Sequence, residues 1–215
     1  MRALILVDVQ NDFLPGGALA VPRGDEVVAV ANRLQSAFER VLATRDCHPA
    51  GHSSFATSHP GRQVGELVAL HGLEQILWPE HCVAGTTGTD FAPGLDTSRI
   101  ERTFLKGVDS DIDSYSGFFD NAALRSTGLD AYLRDQGVDE IFILGLATDY
   151  CVKATALDGV HLGFQVNVVS DGCRAVELSP GDGERAFEEM RRAGVRVVDS
   201  AEIERSATVA TALVA

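Results

Sequence analysis

Short apolar runs separated by stretches of helical periodicity are the main pattern along this chain. Continuous runs of this kind are typical of strands that are buried on both faces of a parallel sheet. They occupy residues 3–9, 41–44, 103–107, 138–144, 166–170 and 195–198. The pattern therefore predicts six strands.

Helical periodicity fills most of the intervals between these runs. A helix that opens at residues 24–26 places four apolar side chains on one face, those of Val27, Ala31, Leu34 and Phe38. Further helices are predicted over residues 129–136, 150–161 and 180–193, and a short one around residues 66–73. Residues 46–98 are otherwise irregular, as expected of a loop that forms a site.

Strands that alternate with helices along a chain are typical of an α/β fold. The sequence thus predicts one α/β domain over residues 1–205, a doubly wound, Rossmann-like, six-stranded parallel sheet with helices on both faces. Residues 206–215 lack charge and are predicted to form a disordered or loosely packed C-terminal tail.

Cys151 lies directly after one of these strands, at the start of a predicted helix. Residues 141–144 (IFIL) form the strand, residues 145–149 (GLATD) form a turn, and Thr148 or Asp149 is placed to cap the helix that follows. Ligands bind at the carboxyl ends of strands in open α/β sheets, and a helix N-terminus lowers the pKa of a thiol. Cys151 is therefore a candidate nucleophile, although a buried cysteine is more often a small apolar core residue.

Two further strand ends carry charged residues. Asp8 interrupts the apolar run of the first strand near its end, and Lys106 lies at the end of the third. In the simpler interpretation, Asp8 caps the next turn and Lys106 extends into solvent. If these strand ends converge in the doubly wound sheet, Asp8 and Lys106 meet Cys151. A thiol, an acid that accepts its proton and a cation that stabilises the thiolate are what nucleophilic amide cleavage requires.

Histidines cluster after the second predicted strand. Asp46 and His48 lie on the same side of an extended segment, and His81 follows in the sequence WPEH at residues 78–81. Mixed carboxylate and imidazole ligation suits zinc, iron or manganese, and three such ligands leave positions open for water or substrate. His52 has two interpretations, as a fourth ligand or as a hydrogen-bonding partner of a metal-bound water.

Composition narrows the classes of function. The 215 residues carry a formal net charge of −13, which argues against nucleic acid or an anionic membrane as a partner. No apolar run approaches the ~20 residues that span a bilayer, and no targeting segment is recognisable, so a cytoplasmic location is expected. Four widely spaced cysteines without a CxxC pair indicate neither a zinc knuckle nor a disulfide framework. The glycine-rich motifs that bind nucleotides do not occur in the sequence.

Six segments together resemble the nicotinamidase branch of the isochorismatase-like cysteine hydrolases. They are residues 6–13 (LVDVQNDF), 46–55 (DCHPAGHSSF), 78–83 (WPEHCV), 106–107 (KG), 113–120 (DSYSGFFD) and 145–152 (GLATDYCV). The resemblance extends over residues 3–200, roughly, and the set is far more specific than any one segment. No catalytic position departs from the family pattern, and Cys47 stands where relatives often carry an aromatic residue.

This resemblance implies an isochorismatase-like hydrolase fold and a catalytic triad of Cys151, Asp8 and Lys106. It also implies a cis peptide bond at Leu146–Ala147, with the backbone N–H groups of Ala147 and Cys151 forming the oxyanion hole. In the implied mechanism the thiolate attacks the carboxamide of nicotinamide, ammonia leaves, and water releases nicotinate from a thioester. The implied role is salvage of NAD precursors, with pyrazinamide as a further substrate.

The resemblance further implies one divalent metal ion that is held by Asp46, His48 and His81 and binds the pyridine nitrogen of nicotinamide. Three aromatic side chains would enclose the ring, those of Phe13, Trp78 and Tyr115. Other amidohydrolases of the superfamily share the triad but generally lack the Asp-x-His and Trp-Pro-x-His pair, so a pyridine carboxamide is favoured here.

Two other classes of protein stay open at this point. One is a metal-dependent hydrolase in which Cys151 is only structural, and the other is a metal-binding protein without catalysis. The sequence also leaves open which metal is native and whether the chain is a monomer or a homo-oligomer.

Overall fold

A six-stranded parallel sheet lies at the centre of the structure, a computed structural model that describes the backbone of residues 1–212 and the side chains of residues 1–206. Its strands are β1 (Arg2–Val7), β2 (Arg40–Asp46), β5 (Ile100–Lys106), β6 (Glu140–Leu146), β7 (Gln165–Arg174) and β8 (Arg196–Val198). They lie in the order β5-β2-β1-β6-β7-β8. Two short strands, β3 (Leu67–Leu70) and β4 (Leu73–Ile76), form a separate antiparallel hairpin.

The first strand lies in the middle of the sheet. β1 pairs with β2 on one side and with β6 on the other, so the first half of the chain builds one side of the sheet and the second half builds the other. This reversal of strand order is the doubly wound arrangement, and ligands bind at the carboxyl ends of the strands where it occurs. The predicted fold class is confirmed.

Helices cover both faces of the sheet. They are α1 (Glu26–Leu34), α2 (Leu129–Asp135), α3 (Lys153–His161), α4 (Asp182–Arg192) and α5 (Ser200–Ala212). α1 contacts α5, and α3 contacts α4. In β6 the side chain of Ile141 faces α3, whereas Leu144 lies on the side of α1, as the alternation of side chains along a strand requires. None of the helices in the described backbone is long and apolar enough to cross a membrane.

The prediction of a short helix around residues 66–73 is wrong, because these residues belong to the β3–β4 hairpin. His71 and Gly72 form its two-residue turn, and both have positive φ, 51° and 82°. Two consecutive positive φ angles belong to the turn type that matches the twist of a hairpin. Four consecutive apolar residues, Leu67 to Leu70, show neither period clearly, so the pattern fits a helix as well as a strand.

The other differences concern the ends of elements. α1 ends at Leu34, before Phe38, and β7 continues to Arg174, beyond the predicted end at Ser170. α5 was not predicted. Its residues 206–212 belong to the segment predicted as a tail, and residues 213–215 lie outside the described part of the chain.

β1 and β6 approach each other closely at Gly145, where a side chain would not fit. Substitution of Gly145 tests whether this close approach limits stability. The φ of Gly145 is +133°, and a Cβ atom here would lie 2.0 Å from the carbonyl oxygen of Val7. We expect Gly145→Ala to lower the free energy of unfolding by about 4 kcal/mol, because strain and overlap add. Urea denaturation measures the change.

Gly163→Ala is the matched control for this prediction. Gly163 also has a positive φ, +88°, but a Cβ atom there would meet nothing within 4 Å. The control should lose only about 1 kcal/mol through its backbone conformation. Equal losses in the two variants would show that the contact between the strands is not the constraint.

Candidate active site

The carboxyl ends of four neighbouring strands carry the predicted reactive side chains. Asp46 and Lys106 are the last residues of β2 and β5, and Asp8 follows β1 directly. Cys151 follows β6 after a short turn. Neighbouring parallel strands end at the same edge of a sheet, so these four side chains lie together, and all of them are buried.

Lys106 is the centre of this cluster. Its Nζ lies 2.9 Å from Asp8 Oδ2 and 2.7 Å from Asp46 Oδ1. It also donates hydrogen bonds to the carbonyl oxygen of Ser114 at 2.9 Å and to Cys151 Sγ at 3.4 Å. A buried ammonium requires such partners, because an unpaired charge is very costly away from water. Lys106 therefore does not extend into solvent.

Burial and these ion pairs set the protonation of the cluster. Burial opposes the charge on Lys106, but the carboxylates of Asp46 and Asp8 outweigh it and hold the pKa of Lys106 well above its usual value. Burial also opposes ionisation of Asp46, yet Lys106 and His48 hold the pKa of Asp46 well below its usual range. At Asp8 burial outweighs Lys106 and raises the pKa of the carboxyl group. Asp8 is therefore the carboxyl group better able to accept a proton.

Cys151 lies in a π-helical turn, Thr148–Val152, and not in the first turn of an α-helix, because α3 begins only after this turn. Burial is the largest influence on the thiol and raises its pKa well above the usual value, while Lys106 acts in the opposite direction. The prediction that the site lowers the pKa of this thiol is therefore wrong. A buried neutral thiol needs a base, and a carboxylate oxygen of Asp8 lies within 4.8 Å of its sulfur.

The turn that carries Cys151 is held in place by the side chain of Asp149, which bonds to the backbone of a distant segment. The Leu146–Ala147 peptide bond is cis, as the family resemblance implies. The prediction that Thr148 or Asp149 caps the following helix is wrong, because Val152 occupies the N-cap position of α3. The carboxylate of Asp149 instead accepts the backbone N–H groups of Val176 at 3.0 Å and Glu177 at 2.9 Å. These bonds tie the turn to the segment that follows β7.

Two buried polar side chains that the sequence analysis missed hold the carboxylates in place. The hydroxyl of Thr44 donates to Asp8 Oδ1 at 2.7 Å. The side-chain amide of Gln10 accepts from the backbone N–H of Asp46 at 2.8 Å and donates to its carbonyl oxygen at 2.9 Å. Gln10 lies inside the segment LVDVQNDF, which is the signal that points to it. Thr44 ends a predicted apolar strand and gives no such signal.

Asp46, His48 and His81 come together beside this cluster, with ligand atoms within 4.8 Å of one another. Asp46 Oδ2 lies 3.5 Å from His48 Nε2 and 3.7 Å from His81 Nε2. The Nδ1 atom of His48 is 3.0 Å from the carbonyl oxygen of Gly107, and that of His81 is 2.8 Å from the carbonyl oxygen of Pro79. Metal-binding histidines are oriented in this way, through a hydrogen bond from the second ring nitrogen.

The chemistry of this donor set fits a divalent cation. His48 Nε2 is buried and has no hydrogen-bond partner among the described side chains. The Lys106 ammonium pairs with Asp46 Oδ1, whereas Asp46 Oδ2 lies within 4 Å of the Nε2 atoms of both histidines. A divalent cation between Asp46 Oδ2 and the two imidazoles would place a positive charge beside this oxygen, and carboxylate and imidazole donors suit zinc, iron or manganese.

His52 lies beside this ligand set. Its Nδ1 is 2.8 Å from the hydroxyl of Ser54, and its Nε2 is buried with no hydrogen-bond partner in the described part of the chain. Its ring shares a second potential metal-binding group with His48 and Asp113, whose ligand atoms lie within 4.8 Å of one another. As a fourth ligand His52 would bind the metal ion through this nitrogen, and in its other predicted role the nitrogen would bond to a metal-bound water.

The predicted aromatic residues surround the cluster. The Phe13 ring meets His81 edge to face at a centroid distance of 5.6 Å. The rings of Trp78 and Tyr115 lie 4.8 Å and 5.5 Å from Tyr150, which directly precedes the candidate nucleophile in the chain. Tyr150 was not predicted, although it lies within the segment GLATDYCV.

Comparison with known proteins identifies the family. The Isochorismatase domain matches residues 2–202, and the chain belongs to this family. Its relatives include the nicotinamidase of Escherichia coli (strain K12), which is 50% identical over 209 residues that cover 95% of this chain and 98% of the relative. The resemblance to the nicotinamidase branch is confirmed.

Two solved structures extend the comparison. The nicotinamidase/pyrazinamidase of Acinetobacter baumanii superposes with a TM-score of 0.91 at 42% identity, covering 94% of this chain and 97% of the other. The pyrazinamidase of Pyrococcus horikoshii in complex with zinc gives a TM-score of 0.74 at 37% identity, covering 92% and 98%. At least one similar protein is therefore known in complex with a divalent metal.

The ion pairs of Lys106 can be tested through stability. We expect Lys106→Met to lower the free energy of unfolding by about 4 kcal/mol, because it leaves two buried carboxyl groups without their cation. Lys153→Met is the matched control, since its pair with Glu189 at 2.9 Å is partly exposed and should contribute at most about 1 kcal/mol. Urea denaturation of both variants measures the difference. Similar losses would contradict the central role of Lys106.

The donor set can be tested by metal binding. We expect His81→Ala to weaken zinc binding by at least about 100-fold, because it removes one of three protein ligands. Isothermal titration calorimetry measures the affinity, and His161→Ala, an exposed histidine at the end of α3, is the control. Unchanged affinity in His81→Ala would remove His81 from the ligand set.

Proposed function

We propose that this protein hydrolyses nicotinamide to nicotinate and ammonia, with Cys151 as the nucleophile. The observation that carries the proposal is the contact of Cys151 Sγ with Lys106 Nζ at 3.4 Å, next to a separate donor set of Asp46, His48 and His81. One half of this site supplies the groups that cleave an amide, and the other supplies ligands for a metal. The identity of 50% with a nicotinamidase over nearly the whole chain supports the substrate.

The first step forms the nucleophile. Asp8, whose pKa is raised by burial, takes the proton of the Cys151 thiol. Lys106 stabilises the thiolate through its contact with the sulfur. The sulfur then attacks the carbonyl carbon of the carboxamide and forms a tetrahedral adduct.

The next step breaks the carbon–nitrogen bond. The backbone N–H groups of Ala147 and Cys151, at the turn that follows β6, stabilise the oxyanion of the adduct. Asp8 returns its proton to the leaving nitrogen, ammonia departs, and a thioester to the pyridine acid remains. Asp8 then takes a proton from water, the hydroxide attacks the thioester, and nicotinate leaves as the thiolate regains its proton.

Ring recognition belongs to the second half of the site. A divalent metal held by Asp46, His48 and His81 supplies, when bound, a Lewis acid for the pyridine nitrogen. Phe13, Trp78 and Tyr115 enclose the ring from the sides, and this arrangement orients the carboxamide toward the sulfur. Pyrazinamide carries a nitrogen at the same ring position and is a second substrate under this proposal, whose metabolic role is salvage of NAD precursors.

Other functions make different demands on these residues. A metal-dependent hydrolase without a thiol nucleophile would not need Lys106 beside a buried cysteine. A metal-binding protein without catalysis would not need a proton acceptor within 4.8 Å of the sulfur. Both features favour the thiol amidase.

Ammonia release from nicotinamide by the metal-loaded protein tests the proposal. We expect turnover that disappears on thiol alkylation, and Cys151→Ala should lose at least about 10⁴-fold in kcat, because the covalent path is removed. Zinc content in this variant should equal that of the wild type, since Cys151 is not a ligand. Cys47→Ala, which removes a half-buried thiol, is the activity control.

The outcomes separate the three classes. Release that survives alkylation would assign the nucleophile to a metal-bound water. Loss of metal together with activity in Cys151→Ala would contradict the division of the site into two halves. No release from the metal-loaded wild type would overturn the proposal of nicotinamide as substrate.

A further inference from the structure

Gln75 of the β3–β4 hairpin is a buried amide in an element that is otherwise largely exposed. The neighbouring Glu74 points to solvent, whereas the side chain of Gln75 is only 5% exposed. A buried amide is costly unless it is hydrogen-bonded, so its partners indicate what the position does. The catalytic scheme above does not use Gln75.

The Gln75 side chain contacts the loop that carries Tyr115. Its Nε2 lies 3.0 Å from Asp113 Oδ2 and 3.1 Å from Tyr115 Oη. It also lies 2.8 Å from the carbonyl oxygen of Ile76 in the same strand. The hairpin is thus joined to the active-site loop through one amide group.

The hydroxyl of Tyr115 receives a second hydrogen bond from another part of the site. Trp78 Nε1 donates to Tyr115 Oη at 3.1 Å, next to the contact from Gln75. A phenol oxygen with two donors at its lone pairs has a fixed position and leaves its own proton free for another acceptor. Gln75 and Trp78 therefore hold Tyr115 from two sides.

These rings continue to the nucleophile. Trp78 packs edge to face on Tyr150 at 4.8 Å, and Tyr115 packs on the same ring at 5.5 Å. Tyr150 directly precedes Cys151. A shift of Tyr115 would thus change the walls of the ring pocket without touching the sulfur, Asp8 or Lys106.

We propose that Gln75 is a positioning residue that sets the affinity for the substrate ring by holding the walls formed by Tyr115 and Trp78. This inference rests on the proposed function, because the ring is that of the proposed substrate. The hairpin contributes to specificity through this amide and not through contact with the reacting atoms. Asp113 acts as the second anchor of the amide.

Gln75→Met tests the proposal, because it keeps the length of the side chain and removes both amide donors. We expect KM for nicotinamide to rise about tenfold with kcat changed by less than about twofold, as loss of one buried hydrogen bond predicts. Glu74→Ala, on the adjacent exposed position of β4, should leave both constants unchanged. The rate of Cys151 alkylation by iodoacetamide should equal that of the wild type.

Fluorescence gives a readout that does not depend on turnover. Trp78 is the single tryptophan of the chain, so its emission reports on the wall itself. We expect a shifted emission maximum in Gln75→Met and none in Glu74→Ala. In Tyr115→Phe, which lacks the hydroxyl, adding Gln75→Met should raise KM little further, because the two changes remove the same contact.

Gln75→Glu is the second variant if Gln75→Met does not fold. It keeps the shape but places a carboxylate beside Asp113, so we expect the same shift in emission and a larger rise in KM. Unchanged KM and unchanged emission in a folded Gln75 variant would overturn the proposal. So would equal losses of kcat and alkylation rate, which would show a general disturbance of the site.

The two proposals fail in different ways. Absence of ammonia release from the wild type would overturn nicotinamide as substrate, and the emission of Trp78 would still decide whether Gln75 holds the wall. Active wild type with an unaffected Gln75 variant would overturn only the role of Gln75.

Discussion

The arrangement of this site depends on one buried ammonium between two carboxyl groups. Lys106 Nζ lies within 3 Å of both Asp8 and Asp46, at the ends of three adjacent strands. Neither carboxyl group would remain ionised at that depth alone, and the ammonium would not remain charged without them. The same ammonium contacts Cys151, so one charge connects the acid and the thiol to the predicted metal ligands. A single substitution at Lys106 would therefore affect both halves of the site together.

The two halves come from different parts of the fold. The reacting groups lie on or beside the strands, where neighbouring hydrogen bonds fix their positions. Most of the groups that are proposed to bind the substrate ring lie on the irregular connection after β2, in the loop that contains Tyr115 and on the β3–β4 hairpin. Binding residues on loops above a rigid scaffold are the usual arrangement in α/β enzymes. The buried contacts of Gln75 and Gln10 show how such loops are held to the sheet.

Much of this could be predicted from the sequence, and the failures have physical causes. The six strands and the convergence of Asp8, Lys106 and Cys151 follow from buried runs and from the rule that parallel strands end at one edge. The hairpin at residues 67–76 was missed because the apolar run at residues 67–70 has no period that separates strand from helix. The raised pKa of Cys151 was missed because burial depends on packing that no local pattern encodes. Tertiary contacts likewise determine the role of Asp149, which bonds to distant amides instead of capping a helix.

The absence of a side chain at Gly145 has a consequence for how this family can diversify. Because nothing lies between β1 and β6 at that level, the spacing of the acid and the nucleophile is inherited from the backbone ladder of the sheet. The long connection between β2 and β5 takes no part in this pairing. A change of the proposed ring-binding residues in this connection therefore does not require a change in the strands that set the spacing of the proposed acid and nucleophile.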